Sequence, residues 1–353
     1  MSENRDREII RIERLTLLVR YISVLLVLII VSIFVILYLL HQPAAKQQRE
    51  QVAKAEQTAS SLFWIAPDTA TITNDSIREW ILLGRAIITN TSAYFGATGT
   101  VRKQATNGMN CQNCHLDAGT KIFGNNYGSV YSTYPKYRAR SGGIENIHKR
   151  INDCFERSLN GLALDTASRE MRAIVAYITW LGSGVPKGEK ANGSGLKDIR
   201  LLTRAADPDK GSVVYINKCQ QCHQAGGQGQ MNLTKTAFIY PPLWGDQSYN
   251  IGAGLYRIST FAKFVKYNMP QGVSHTLTQL TDEEAWDVAA FINSQPRPVK
   301  DISRDWPYIS EKPMDHPFGP YADGFSETQH KYGPYQPIID KMKNLKKQNT
   351  TTL

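Results

Sequence analysis

Two copies of Cys-x-x-Cys-His constrain this 353-residue chain more than any other feature. They stand at Cys111, Cys114, His115 and at Cys219, Cys222, His223. In such a turn the two sulfurs can form thioethers with the vinyl groups of a porphyrin. The next residue then lies under the iron, with its imidazole as the proximal ligand. Two covalently bound haem c groups are therefore expected. Zinc is the rival reading, but paired Cys-x-x-Cys zinc sites typically have spacers of ~15–20 residues. Cys114 and Cys219 are much further apart, and both pairs carry the following histidine. No βαβ pattern surrounds either pair, which argues against a thioredoxin-like role.

Both motifs sit in the same frame: a helix, the motif, a long loop and a closing amphipathic helix. The closing segments Glu170–Ile178 and Glu284–Ile292 each carry small or apolar residues at helical spacing and an aromatic before the final isoleucine. Thr281 and Glu284 form a capping-box pattern. Asp207-Pro208 supplies an N-cap and a first-turn proline to the helix that leads to Cys219. The expected fold class is all-α, with two cytochrome c-type domains in tandem at 66–185 and 204–296. A Gly-, Lys- and Asn-rich linker, 186–203, joins them. Residues 297–353 are rich in Pro, Tyr, Asp and Gly and read as an extended tail wrapped over the haem domains.

Tyr21–Leu40 is an uncharged apolar run. At ~1.5 Å per residue it reaches ~30 Å, one hydrocarbon core. Signal-peptide cores are shorter, ~7–15 residues, and no clean small-x-small site follows, so an uncleaved anchor is expected. Arg5, Arg7, Arg11, Arg14 and Arg20 precede it, whereas only Lys46 and Arg49 follow closely. That bias puts residues 1–20 in the cytoplasm and, beyond a polar linker at 41–65, the haem domains in the periplasm. Attachment of c-type haem on the outer side of the bacterial membrane agrees. The net charge of +10 favours anionic partners. There is no nucleic-acid motif, and part of the excess lies in the tail at Lys341, Lys343, Lys346 and Lys347.

A proximal histidine leaves one iron position open. In the second domain Met269, in Asn268-Met269-Pro270, is the candidate distal ligand; Met231 sits too close to His223. A thioether raises the potential by favouring ferrous iron. The first domain has no Met-Pro and carries the unpaired fifth cysteine, Cys154. Ile144, Ile147, Ile151, Cys154, Phe155 and Leu159 form an apolar helical stripe. Arg150 and Ser158, one turn either side, share the face of Cys154. A guanidinium favours thiolate, and thiolate ligates haem iron. The pattern alone leaves ligation and core packing both open, with Met171 and His148 as alternative ligands. His41, His275, His316 and His330 lack a motif and read as surface or structural residues.

At Cys111–Thr120, Ile151–Ser158, Tyr240–Gly245 and Asn268–Pro270 the sequence resembles the dihaem thiosulfate dehydrogenases, which interconvert thiosulfate and tetrathionate. The resemblance extends over about 65–345 and includes the tail segments 319–323 and 329–338. The first domain is also similar to the haem subunit of the sulfur-oxidation cytochromes, which has a cysteine-ligated haem. The resemblance implies an active-site haem held by His115 and Cys154 and an electron-exit haem held by His223 and Met269. It implies Arg140, Arg150 and Ser158 as the residues that bind the sulfur anions. Some relatives exchange a lysine before the methionine for that methionine; Asn268 stands there in this chain and favours plain His/Met ligation. The anchor departs from the soluble members, and the electron partner is expected to be a cytochrome c or a terminal oxidase. The rival functions are a non-catalytic dihaem electron-transfer subunit, the same enzyme running as a tetrathionate reductase, and a sulfur-oxidation component acting on a carrier protein.

Overall fold

The computed structural model describes residues 17–37 and 63–351. The first sixteen residues, the end of the expected span at 38–40 and the linker up to residue 62 lie outside the described residues. Arg5, Arg7, Arg11, Arg14, His41, Lys46 and Arg49 fall there.

The segment Leu17–Leu37 is one helix with a mean hydropathy of 2.8, long and apolar enough to cross a membrane. Its two serine hydroxyls are satisfied locally. Ser23 donates to the Val19 carbonyl at 2.9 Å and Ser32 to that of Leu28 at 2.8 Å. The helix starts before the sequence-based limit of Tyr21 because Leu17-Leu18-Val19 continues the apolar run on the far side of Arg20.

The remainder from Phe63 onward is mainly helical. In its first half, Asn74 caps the helix Asp75–Thr89, and Ser168 caps the helix Arg169–Leu181. In its second half, Asp207 caps Pro208–Lys218 with proline in the first turn. Thr281 and Glu284 close a capping box on Asp282–Ser294. Each pair of helices crosses at a glycine. A Cβ at Gly84 would lie 2.1 Å from the Ala173 carbonyl oxygen and 2.7 Å from the Tyr177 Cβ. A Cβ at Gly211 would lie 1.9 Å from the Asp287 carbonyl oxygen and 2.8 Å from the Phe291 Cβ. Tyr177 and Phe291 are the aromatics that precede the final isoleucine in the two closing helices. The repeat seen in the sequence is therefore a repeated crossing geometry, in which a missing side chain lets two backbones touch. A further helix, Ile258–Asn268, packs on Asp282–Ser294 and ends at Met269.

Strand content is small. Lys136–Arg138 pairs antiparallel with Gly143–Glu145, and Gln230–Met231 with Phe238–Tyr240. The segment 186–203 is packed rather than free. Gly193 and Gly195 accept from the backbone amides of Phe123 and Asn125, at 2.8 and 2.9 Å. The Arg200 carbonyl accepts from the Trp286 indole at 2.8 Å.

Residues 297–351 pack on both halves, with the Trp306 amide donating to the Arg140 carbonyl at 2.7 Å and the Ala206 amide to the Tyr332 carbonyl at 2.8 Å, and they are not wholly extended, since they contain the helices Glu327–Tyr332 and Gln336–Thr351. The last helix escapes the sequence reading because it buries little. Ile338 is fully buried and lies next to Tyr335, whose ring packs against Trp286 at 5.4 Å, while the lysines at 341, 343 and 347 stay exposed. His330 and His316 are buried structural residues rather than surface ones. The His330 ring bonds the Met314 carbonyl at 2.9 Å and Asp323 at 3.1 Å, and stacks on Tyr321 at 3.6 Å.

Candidate functional site

Cys111 opens a short 3-10 turn, Cys111–Asn113, with Asn110 and Asn113 capping each other across it. Thr91 reaches in from the preceding helix. Its hydroxyl accepts from the Cys111 amide at 3.0 Å and lies 3.2 Å from the Cys111 sulfur. Burial pushes the thiols of Cys111 and Cys114 up to about 12, so both are neutral thiols in the polypeptide. The His115 ring stacks on Tyr127 with centroids 4.5 Å apart. Its Nδ1 lies 2.6 Å from the Asn125 carbonyl. A carbonyl only accepts, so Nδ1 carries the proton and Nε2 keeps its lone pair for a ligand. Burial is the main cause that lowers the His115 pKa to about 4 and keeps the ring neutral, as ligation requires.

Cys154 follows the helix Ile147–Asp153, whose N-terminus Asn146 caps. At Cys154 the helix widens into a π turn, Cys154–Ser158, closed by the Leu159 amide on the Cys154 carbonyl at 3.0 Å. Such turns break regular packing and occur often at functional sites. The Arg150 Nη1 lies 3.3 Å from the Cys154 Sγ. The Cys154 charge is the foremost cause that holds the Arg150 pKa above the usual arginine range.

These residues face one cavity. Cys111, Cys114, His115, Arg150, Cys154 and Ser158 line it, and Ile88, Ile147, Ile151, Phe155, Ile174 and Ile178 make it largely apolar. Paired thiols, an imidazole with a free lone pair and apolar walls together fit a haem. Met171, fully buried within the core, and His148 do not line the cavity, whereas Cys154 and Met109 both do.

The second motif repeats the arrangement. The His223 Nδ1 lies 2.8 Å from the Pro241 carbonyl, and burial lowers its pKa. A second cavity is lined by Cys219, Cys222, His223 and Met269, with Phe261, Phe264, Val265, Leu280 and Ile292 among its apolar walls; Met231 is not on it. Met109, Asn110 and Cys114 line both cavities. The two sites thus share a wall made from the first motif.

Arg140 is placed apart from the other expected anion-binding residues. It lines a small cleft with Asp305, Trp306 and His316 rather than the Cys154 cavity. Its guanidinium carbon lies 5.9 Å from the Trp306 ring centroid. Burial first, then the charges of Arg157 and Arg150, lower its pKa to about 10. The sequence reading gave no role to Arg157, which forms a two-pronged ion pair with Asp305 at 2.6 and 2.7 Å. That pair ties the π turn to the C-terminal extension. The partner lies too far along the chain for any local pattern to reveal.

Residues 100–186 match the family model described as SoxA/TsdA, cytochrome c domain, and residues 208–296 match the cytochrome c model. The chain is 36% identical over 268 residues to the thiosulfate dehydrogenase of Psychrobacter arcticus, covering 76% of this chain and 79% of that one. It is 36% identical over 252 residues to the thiosulfate dehydrogenase of Allochromatium vinosum, covering 70% and 89% respectively. Among solved structures it is similar to the thiosulfate dehydrogenase (TsdBA) from Marichromatium purpuratum in its as-isolated form. The TM-score is 0.63 at 30% identity, over 70% of this chain and 52% of that chain, so this chain spans about half of that one. With two cytochrome c domains, the chain carries two covalently bound haem c groups.

Proposed function

We propose, since this chain belongs to the thiosulfate dehydrogenase family of oxidoreductases, that it joins two thiosulfates into tetrathionate in the cavity bounded by Cys154 and Arg150. The observation that carries this reading is the 3.3 Å contact between the Arg150 guanidinium and the Cys154 sulfur, on a cavity that His115 also lines. Cys111 and Cys114 would attach the first haem, with His115 and Cys154 holding its iron. Cys219 and Cys222 would attach the second, with His223 and Met269 holding its iron. When bound, each haem supplies a one-electron acceptor, and together they match the two electrons the coupling releases.

The residues of this chain do the rest. Arg150 binds the sulfonate oxygens of an entering dianion through its planar fork and lowers the repulsion between two such anions. The Ser158 hydroxyl on the same wall is a further donor. Arg140 and Arg157 add positive potential beside the cavity; Arg157 is partly neutralised by Asp305. Cys154 acts as nucleophile. Its thiolate and the outer sulfur of one thiosulfate form a sulfur–sulfur bond as two electrons leave. A second thiosulfate attacks that outer sulfur, tetrathionate departs and the Cys154 thiolate is restored. Atoms and charge balance over the two steps, and no proton is needed. The same steps reversed reduce tetrathionate, so direction follows from the haem potentials and the partner.

The Leu17–Leu37 helix serves as an anchor in the inner membrane, with the arginine-rich N-terminus inside and the haem domains in the periplasm. The second haem, when bound, would supply the exit for electrons to a cytochrome c or a terminal oxidase. The test is turnover of the purified haem protein with thiosulfate plus an oxidant and with tetrathionate plus a reductant. Turnover that disappears in Cys154→Ala supports the mechanism. Two intact haem spectra with no turnover in either direction would leave a pure electron carrier.

A further inference from the structure

The second haem cavity is not closed by its own domain. Leu116, Asp117 and Lys121 of the first domain line it together with Asn268 and Met269. They belong to the loop that runs on from His115. Asp117, Ala118, Phe123 and Asn125 in this loop have φ of 54°, 58°, 54° and 59°. Asp117 and Asn125 adopt this left-handed region readily, but Ala118 and Phe123 hold it at a cost that surrounding contacts must offset.

Here the carbonyls and side chains of the loop have defined partners. The Asn125 carbonyl holds His115. Two residues earlier, the Phe123 carbonyl accepts from the Asn268 Nδ2 at 3.1 Å. Two earlier again, the Lys121 Nζ donates to the Val273 carbonyl at 3.2 Å. Asn268 is 1% exposed, and its Nδ2 also donates to the Phe264 carbonyl at 3.1 Å. Both partners are acceptors, so the orientation of the amide is determined. More of the first half grips the same segment. The Lys197 Nζ lies 3.3 Å from the His275 carbonyl, and the Phe63, Phe123 and His275 rings pack edge to face at 5.1–5.4 Å.

We propose that Asn268 and Lys121 are positioning residues that keep Met269 on the second iron by tying its loop to the first domain. This rests on the reading of Met269 as the distal ligand. Met269 stands where the helix Ile258–Asn268 stops, and an irregular segment follows it. Held only at its own ends, such a segment opens at little cost. Held by the first domain, it can leave the iron only by breaking buried hydrogen bonds to a loop that also orients His115. The proximal side of one haem and the distal side of the other thus depend on the same residues, 117–125.

The test uses full-length, haem-loaded protein with Asn268→Ala and with Lys121→Met. The readouts are the weak methionine–iron charge-transfer band at the red end of the ferric spectrum and a potentiometric titration of the second haem. The expected result is a weaker band in each variant, loss of the band in the double variant and a lower potential, because thioether ligation favours ferrous iron. The spectrum of the first haem stays unchanged, and Lys121→Arg, which keeps a donor, retains the band. Lys121 is half-buried, so its variants carry the test even where Asn268→Ala fails to fold. Both variants showing the wild-type band and potential, with only a lower melting temperature, would overturn the proposal. A wild-type protein without the band would instead overturn the Met269 reading, and this proposal with it.

Discussion

The guanidinium of Arg150 lies 3.3 Å from the sulfur of Cys154, one helical turn further along the chain. The contact forms because Arg150 lies in the regular helix Ile147–Asp153 and Cys154 begins the π turn that follows it, so both side chains meet the same cavity. An arginine stays charged at any working pH. The sulfur therefore has a permanent cation beside it.

On the proposed mechanism, removing that sulfur removes both a ligand and the nucleophile. Cys154→Ala is expected to lower turnover by ~10³-fold or more, as loss of a nucleophile does in other enzymes. The spectrum of the first haem changes, and that of the second does not. Stopped-flow assays with thiosulfate plus an oxidant check the rate, and optical spectra check the ligand. A variant that kept full turnover would exclude the covalent step.

Arg150→Lys preserves the charge and loses the fork. A charge-assisted hydrogen bond is worth ~1.5–3 kcal/mol, so kcat/KM for thiosulfate is expected to fall ~10–100-fold. Ser158→Ala removes one neutral donor and is expected to cost up to ~10-fold. Steady-state kinetics at fixed ionic strength separate the two. Equal losses in both variants would argue against Arg150 as the main anion contact.

The two glycine crossings predict large effects from a single methyl group. In Gly211→Ala the added carbon would sit 1.9 Å from the Asp287 carbonyl oxygen, which cannot rotate away. Overpacking typically costs ~1–3 kcal/mol, and here the helices must separate, so the upper end is expected. Gly84→Ala is expected to behave alike in the first domain. Thermal melting of each variant, with haem content measured alongside, tests this. An unchanged melting temperature would mean that the helices cross less closely.

His316 gives a pH dependence with a definite sign. Its ring is 8% exposed, and burial is the main cause that lowers its pKa to about 4 from the usual 6.5; the Lys312, Arg257 and Arg140 charges add to this. Between those values the unfolded chain binds a proton that the folded one does not. Its contribution to stability is therefore lost as pH falls from 6.5 towards 4, by up to ~3 kcal/mol. Denaturant titrations across this range should show a shallower slope for His316→Gln than for wild type. Parallel slopes would show that His316 is not the group responsible.

Much of the site was legible because its signals are local. Each Cys-x-x-Cys-His lies within one turn, and Arg150, Cys154 and Ser158 stand at i, i+4 and i+8, so a helical reading brings them onto one face. The cavity contains all of them, although the turn after Cys154 is wider than the α-helix that reading assumed. The caps at Asp207 and Thr281 were equally legible, because capping depends on residues three or four apart. Arg140 was less so. It comes from a hairpin rather than the Cys154 helix, and its position depends on how Trp306 and Asp305 pack against it.

By itself the sequence determined the covalent chemistry and the periodic elements: two haem attachment turns, a duplicated helical frame, one apolar helix of spanning length and a cysteine with an arginine one turn away. The tertiary structure alone decided that Arg157 pairs with Asp305, that Asn268 donates to the Phe123 carbonyl and that Cys114 borders both cavities. The physical reason is range. Helix, cap and thioether geometry depend on neighbours a few residues away, whereas these contacts join segments far apart in the chain, and only packing brings them together.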